Sequence, residues 1–286
     1  MQVTTTTGVR RRSAGAAAVL AVLAVAAAVL VFVTRDKERD VAGTGRMTAV
    51  SSEQLTAAAR ARVFFGHQSV GRNMLDALPG VYAAHGVPAP ATVDVEGAAD
   101  RTGGFLASAY IGENTKPLLK IQDFEKALRG GLGDQLDVAL MKFCYLDVDR
   151  TTDVDALFAE YRRALAGLQR DYPRVTFLHV TTPLTTDPTV MQRLKGILGR
   201  PTSEPDNAAR ERYNALMRAE YGDRVFDLAA IQSTTPEGER VQGTVDGATY
   251  YALNGEYAAD SGHFTAKASA GAAGALLATI ASAVRR

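Results

Sequence analysis

The sequence predicts an α/β domain built on a parallel sheet and preceded by one N-terminal transmembrane helix. Three observations carry that prediction. An uncharged run rich in Ala, Val and Leu fills residues 14–33. Beyond residue 50, apolar runs of strand length alternate with longer stretches of helical periodicity, the pattern of a parallel sheet with helical crossovers. No internal repeat and no Pro/Ser-rich linker interrupts residues 51–286, so they read as one domain.

The N-terminal run justifies its own element. Twenty residues at about 1.5 Å rise span about 30 Å, the thickness of a hydrocarbon core. Arg10, Arg11 and Arg12 precede it, whereas the far flank alternates Arg35, Lys37 and Arg39 with Asp36, Glu38 and Asp40. Only the near side is a pure positive block, which assigns residues 1–13 to the cytoplasm and the domain to the outside of the cell membrane. Residues 34–50 read as a linker, with Gly43 and Gly45 and no apolar periodicity. The run is longer than the roughly 7–15 apolar residues of a cleaved signal peptide, and it ends in Val31-Phe32-Val33 rather than a small-residue cleavage site. Secretion after cleavage is the alternative, and either route exports the domain.

The domain elements follow in order. Ser51, with Gln54 three residues on, forms a capping box that opens a short helix through Ala61. A buried strand at 63–65 leads through Gly66-His67-Gln68-Ser69-Val70-Gly71 into a helix ending near Leu78. Residues 92–95 are a second strand candidate, followed by a Gly-rich loop (Gly97, Gly103, Gly104, Gly112) and a helix at 120–128. Residues 137–145 form a strong central strand. Residues 154–170 are an amphipathic helix with Leu157, Phe158, Tyr161, Leu165 and Leu168 on one face. Residues 175–180 and 224–228 are strands separated by a helix at 207–221. Residues 232–259 are a polar excursion, and 265–284 a closing Ala-rich helix.

Composition removes several classes. With 47% apolar and 22% charged residues the chain is ordinary for a globular protein, and its net charge of +1 provides no basic excess for nucleic acid. One cysteine, Cys144, rules out an internal disulfide. Tryptophan is absent, which argues against a carbohydrate platform of large aromatic faces.

In open parallel sheets, ligands bind beyond the carboxyl ends of the strands, so polar residues just past each strand carry the functional weight. Ser69 follows the first strand between two glycines. A serine at such a strand-to-helix turn can present its hydroxyl beside the free N–H groups of the helix start; the plainer role is a helix cap. Asp260-Ser261-Gly262-His263 precedes the closing helix, and its i, i+3 spacing lets one turn aim both side chains to one place. A carboxylate on one imidazole nitrogen holds the tautomer in which the other accepts a serine proton.

Together these pieces resemble the SGNH (GDSL-like) hydrolase superfamily over about residues 58–286. The resemblance rests on 64–71, on the strand ending Lys142-Phe143-Cys144-Tyr145-Leu146-Asp147, on Asp260-Ser261-Gly262-His263, and on the Tyr213-Asn214 helix leading into 224–228. It implies a flavodoxin-like three-layer α/β/α sandwich. It also implies Ser69 as nucleophile, His263 as general base, Asp260 as its orienting carboxylate, and an acyl-enzyme intermediate. The family's oxyanion hole uses the serine N–H, a glycine N–H after the second strand and an asparagine after the third. By position Gly103 or Gly104 is the candidate glycine. This chain departs from the family in two places: Gly-Asp-Ser becomes Gly66-His67-Gln68-Ser69, and Leu146 stands where the asparagine amide is expected. Asn114 or His67 is the candidate replacement donor.

Other clusters carry less. Asp147, Asp149, Asp153 and Asp155 lack the Gly and spacing of a calcium loop and read as a solvated loop and helix start. His85 reads as surface, His179 as a structural imidazole within a strand, and Cys144 as a small buried apolar residue. Glycines 97–112 match no phosphate-binding fingerprint, and no cofactor or metal is indicated. The expected function is a membrane-anchored serine esterase acting on a small-molecule or glycan ester, an O-acetylated glycan by location and family habit. The alternatives are an acyltransferase using the same triad and a non-catalytic domain that binds a glycan or protein.

Overall fold

The computed structural model describes Met1, Met47 and residues 49–99, 101–198, 200 and 202–285. The expected transmembrane helix at 14–33, and nearly all of the flanking segments 1–13 and 34–50, lie outside the described residues. Gly43–Arg286 forms one compact unit.

That unit is a three-layer α/β/α sandwich on a six-stranded sheet of order β2-β3-β1-β4-β5-β6. The strands are β1 (Arg62–His67), β2 (Ala91–Val93), β3 (Phe105–Tyr110), β4 (Val138–Met141), β5 (Thr176–Val180) and β6 (Val225–Phe226). Every pairing between them is parallel. Setting aside the short edge strand β2, the order is that of a doubly wound sheet with its switch point at β1, between β3 and β4.

β1 is buried on both faces and alternates as a central strand must. Phe65 faces a core shared with α1 (Ser52–Arg60), α2 (Ser69–Ala84) and α8 (Ala266–Val284). Phe64 faces the opposite core, closed by α3 (Pro117–Ala127), α4 (Val154–Asp171) and α6 (Glu204–Tyr221). Helix starts follow local chemistry. Ser51 and Gln54 complete a reciprocal capping box, Pro117 opens α3, Asp153 accepts from Ala156 N, and Thr265 accepts from Ala268 N. Three further elements lie between β5 and α8: α5 (Val190–Ile197), α7 (Leu228–Ser233) and a hairpin of β7 (Gln242–Val245) and β8 (Ala248–Tyr251).

Two sequence expectations change. The Gly-rich segment 97–112 is not one loop: β3 lies inside it and pairs directly with β1. The excursion 232–259 contains the β7–β8 hairpin, whose Asp246 and Gly247 both have positive φ (49° and 79°), as a two-residue type I′ turn requires.

Among the described residues, α8 alone is long and apolar enough to span a membrane, but 56% of its apolar window is buried within the domain. It packs on α1 and α2 as a core helix.

Candidate active site

The parallel sheet aligns the ends of β1, β3 and β4 at one edge, and Ser69, His263 and Asp260 meet there. Ser69 is the first residue of α2. The helix cap is Gln68, whose side chain makes no capping bond; its Nε2 donates instead to Ile111 O (2.7 Å) and Gly112 O (3.1 Å). The strand-to-helix turn is thus pinned to the loop after β3, and the Ser69 hydroxyl is left free of a capping role.

That hydroxyl lies 2.9 Å from His263 Nε2. On the other side of the ring, Nδ1 is 2.8 Å from Asp260 Oδ2 and 2.9 Å from Oδ1. The turn that achieves this is local. Asp260 Oδ1 accepts from Gly262 N (2.8 Å) and His263 N (2.9 Å), bending the chain so that residue i+3 returns over the carboxylate. The Gly262 N–H bond and the contacts from His263 hold the Asp260 carboxyl below the usual carboxylate range. A Cβ on Gly262 would fall 2.4 Å from Tyr145 Cε1, so glycine lets the turn lie flat on that ring. Tyr145 meets His263 edge-on, with centroids 5.8 Å apart.

Seen from this centre, the expected oxyanion residues divide. Gly103 and Gly104 precede β3 and sit at the amino edge. Phe105 pairs with Arg62, and a Cβ on Gly104 would fall 2.1 Å from Ala59 O. Five strand residues, about 17 Å, separate that edge from Ser69, so neither glycine reaches the site. The glycine that does follow the strand beside β1 is Gly112, at φ +53° with its missing Cβ replaced by the close approach of Lys120 N. Its N–H already donates to Asp123 Oδ2.

His67 is also displaced from the expected role. The residue is 1% exposed, its ring lies between Phe65 and Tyr110, and a Cβ on Gly71 of α2 would fall 2.4 Å from His67 Cβ. Nδ1 contacts Gln68 O at 3.0 Å. Burial lowers its pKa to about 4, so the imidazole is neutral and structural.

Asn114 lies in the loop after β3, exposed, with Oδ1 accepting from Lys120 Nζ at 3.0 Å. That bond occupies the carbonyl end of the amide. Lys120 Nζ also donates to Asp147 Oδ2 with both side chains fully buried. Asp147 accepts further from Cys144 N (2.6 Å) and Thr115 N (2.8 Å), and Thr115 is held at φ +70°. One carboxylate therefore ties the loop after β3 to the loop after β4. Asp147 is not the solvated acid expected from the sequence, whereas Asp153 does cap α4.

Sequence reasoning missed Lys120, Asp147, Gln68 and Tyr145 as parts of this site. One signal was available: Lys120 is in phase with Phe124 and Leu128 on the buried stripe of α3, an unusual place for an ammonium. His179 is satisfied by Tyr161 OH at 2.9 Å and stacked on Tyr221. Among the described residues, no group of three or more His, Cys, Asp or Glu side chains is placed to hold a metal ion.

No protein-family model matches the chain, and no curated protein matches it. Its fold is similar to that of solved structures. One is a Streptococcus pneumonia protein provisionally named a platelet activating factor, at 14% identity and a TM-score of 0.43 over 78% of this chain and 89% of that one. Another matches at 14% identity and the same TM-score over 79% of this chain and 98% of that one. Likeness at this level leaves the chemistry to the site's own geometry.

Proposed function

We propose that this chain is a serine ester hydrolase of SGNH type. The observation that supports the reading most is the continuous hydrogen-bond chain Ser69–His263–Asp260, set at the carboxyl edge of the sheet where open α/β folds bind ligands.

In this reading Ser69 Oγ attacks the ester carbonyl while His263 Nε2 takes its proton. Collapse of the tetrahedral intermediate expels the alcohol, which receives that proton, and leaves an acyl group on Ser69. Water, deprotonated by the same nitrogen, attacks the acyl carbon and releases the acid. Asp260 holds Nδ1–H and balances the imidazolium at each stage. Negative charge on the carbonyl oxygen is met by the unpaired N–H groups of the first turn of α2 and by Asn114 Nδ2. Two features favour a second reading, a domain that binds acylated ligands without turnover: Leu146 replaces the family's amide donor, and the Gly112 N–H is taken by Asp123.

The test is hydrolysis of a short-chain aryl acetate by the full chain in mild detergent, beside Ser69→Ala and His263→Ala. The esterase reading expects turnover that falls by about a thousandfold or more in both variants. A folded protein that neither turns over the ester nor labels with a fluorophosphonate would favour the binding reading. Full activity in Ser69→Ala would reject Ser69 as nucleophile.

A further inference from the structure

Well away from the triad's hydrogen bonds, the connection between β5 and α6 carries a feature the ester chemistry does not use. Thr189 and Gln192 cap each other reciprocally and open α5. Val190, Met191, Leu194 and Ile197 on this helix, with Leu198 just beyond it, are 52–83% exposed. At 100° per residue the four helical positions span about 120° of arc, so they form a single apolar stripe facing away from the domain.

The rest of the exposed apolar surface lies on the same side of the molecule. Among the described residues of the domain, the remaining exposed large apolar side chains are Tyr110, Leu118, Leu119 and Leu146. All four end or follow β3 and β4, at the carboxyl edge. α5 belongs to that edge as well, because Thr186, where its connection begins, donates to Ser261 O in the Asp260–His263 turn at 2.9 Å. Beside α5 lies an open depression of about 660 Å³ lined by Arg150, Arg193 and Arg200, with Glu204 as the acid among its lining residues. Arg150 is held by Asp206, and Arg193 by Asp187 and Glu204.

An apolar stripe flanked by guanidinium groups is the chemistry of a helix that lies in a membrane interface, its apolar face among acyl chains and its cations among anionic headgroups. The apolar run at 14–33, expected from its length to anchor the chain in a membrane, makes a lipid bilayer the natural surface to consider. We propose that α5 and the arginine-lined depression dock the carboxyl edge of the domain onto an anionic lipid surface, bringing the mouth of the Ser69 site beside the bilayer. This inference does not depend on Ser69 being a nucleophile.

The test is backbone amide exchange at residues 190–198 in the full chain, reconstituted into phosphatidylcholine vesicles with or without phosphatidylglycerol. Docking predicts exchange slowed about tenfold or more only in the anionic vesicles. The slowing should disappear in the triple variant Val190→Ser, Leu194→Ser, Ile197→Ser and weaken in Arg200→Glu. All four positions are exposed, so an unchanged urea midpoint certifies the fold of each variant. Equal exchange in both vesicle types, or slowing that persists in the triple variant, overturns the proposal. Slowing without vesicles that grows with protein concentration assigns the stripe to a second copy of the chain and overturns it as well.

Discussion

Asp147→Asn is the substitution that most directly probes how the site is held. The native carboxylate accepts three bonds: from Thr115 N on one oxygen, and from Cys144 N and Lys120 Nζ on the other. Asparagine keeps one acceptor oxygen and puts an NH2 in place of the other. Either orientation sets a donor against a donor, orphaning a backbone N–H at about 1–3 kcal/mol. It also leaves the Lys120 ammonium buried without its counter-charge. Breaking one side of a buried pair costs about 3–5 kcal/mol in all, a large share of the 5–15 kcal/mol typical of a domain. Urea unfolding of the full chain should therefore lose at least about 3 kcal/mol. A double variant with Lys120→Met should lose less than the sum of the two single losses, since the orphaned ammonium is then gone. Aryl acetate turnover under conditions where the variant stays folded should drop about tenfold, because Thr115 relaxes from its strained φ and Asn114 moves with it. A stability loss below about 1 kcal/mol would refute the reasoning, since it would mean that the pair is not buried as described.

Four further outcomes follow from the geometry. Asn114→Ala should lower kcat by about a hundredfold with little change in KM if Nδ2 meets the developing oxyanion, and steady-state kinetics should show an equal loss in Asn114→Asp; an unaltered kcat in Asn114→Ala removes it from the mechanism. Gly262→Ala should cut activity about tenfold while leaving stability nearly unchanged, because its Cβ meets the outer edge of the half-buried Tyr145 ring and pushes on His263; wild-type turnover would show that the ring yields freely. Lys142 is fully buried with its Nζ on Phe143 O, and burial lowers its pKa to about 8; the penalty for its charge is complete below pH 8 and fades toward pH 10.5, so Lys142→Met should stabilise the fold by up to about 3 kcal/mol at pH 7 and by progressively less above pH 8, measured by urea midpoint. His67 and His179 are lowered by burial to about 4 and about 3, so between pH 6.5 and pH 4 the unfolded chain takes up protons the native state refuses; stability should fall across that window, and a flat urea midpoint from pH 7 to 4.5 would contradict their burial.

How much of this was legible in the sequence depends on the range of the interaction. The capping box at Ser51 is local and was readable from residue type and spacing, as was the acidic start of α4, though not Asp153 as its cap. The parallel α/β sheet was readable from the alternation of apolar runs with helical periodicity, because each central strand is buried on both faces, whereas the three-layer sandwich was implied only by the family resemblance. β3 was not, since its Phe105-Leu106-Ala107-Ser108-Ala109-Tyr110 is short, half small residues, and preceded by two glycines that signal a loop. That one misreading moved the candidate oxyanion glycine to the wrong edge of the sheet, because Gly103 and Gly104 then stood after a strand instead of before one. The hairpin turn at Asp246-Gly247 was a strong local signal that the polarity of its surroundings obscured. Membrane attachment through residues 14–33 lies on the undescribed side of the chain and stays an expectation.

The site shows why its two halves differ in legibility. Asp260 and His263 are three residues apart, and one turn with two backbone N–H bonds to a single carboxylate oxygen brings them together. Such a unit is written in four consecutive residues. Ser69 reaches that unit across 194 positions, so their meeting is a property of the sheet order, which carries β1 to the switch point and α8 back over it. The surrounding contacts depend on longer-range terms as well: Asp147 meets Cys144 N within its own loop, but it must find Thr115 and Lys120 in the segment after β3, and no spacing rule anticipates that. Under the proposed esterase reading, the Ser69 hydroxyl and the His-Asp turn stand beside loops organised around a buried ion pair. Leu146 at the position where an amide was expected, and Asn114 held by Lys120, both belong to those loops.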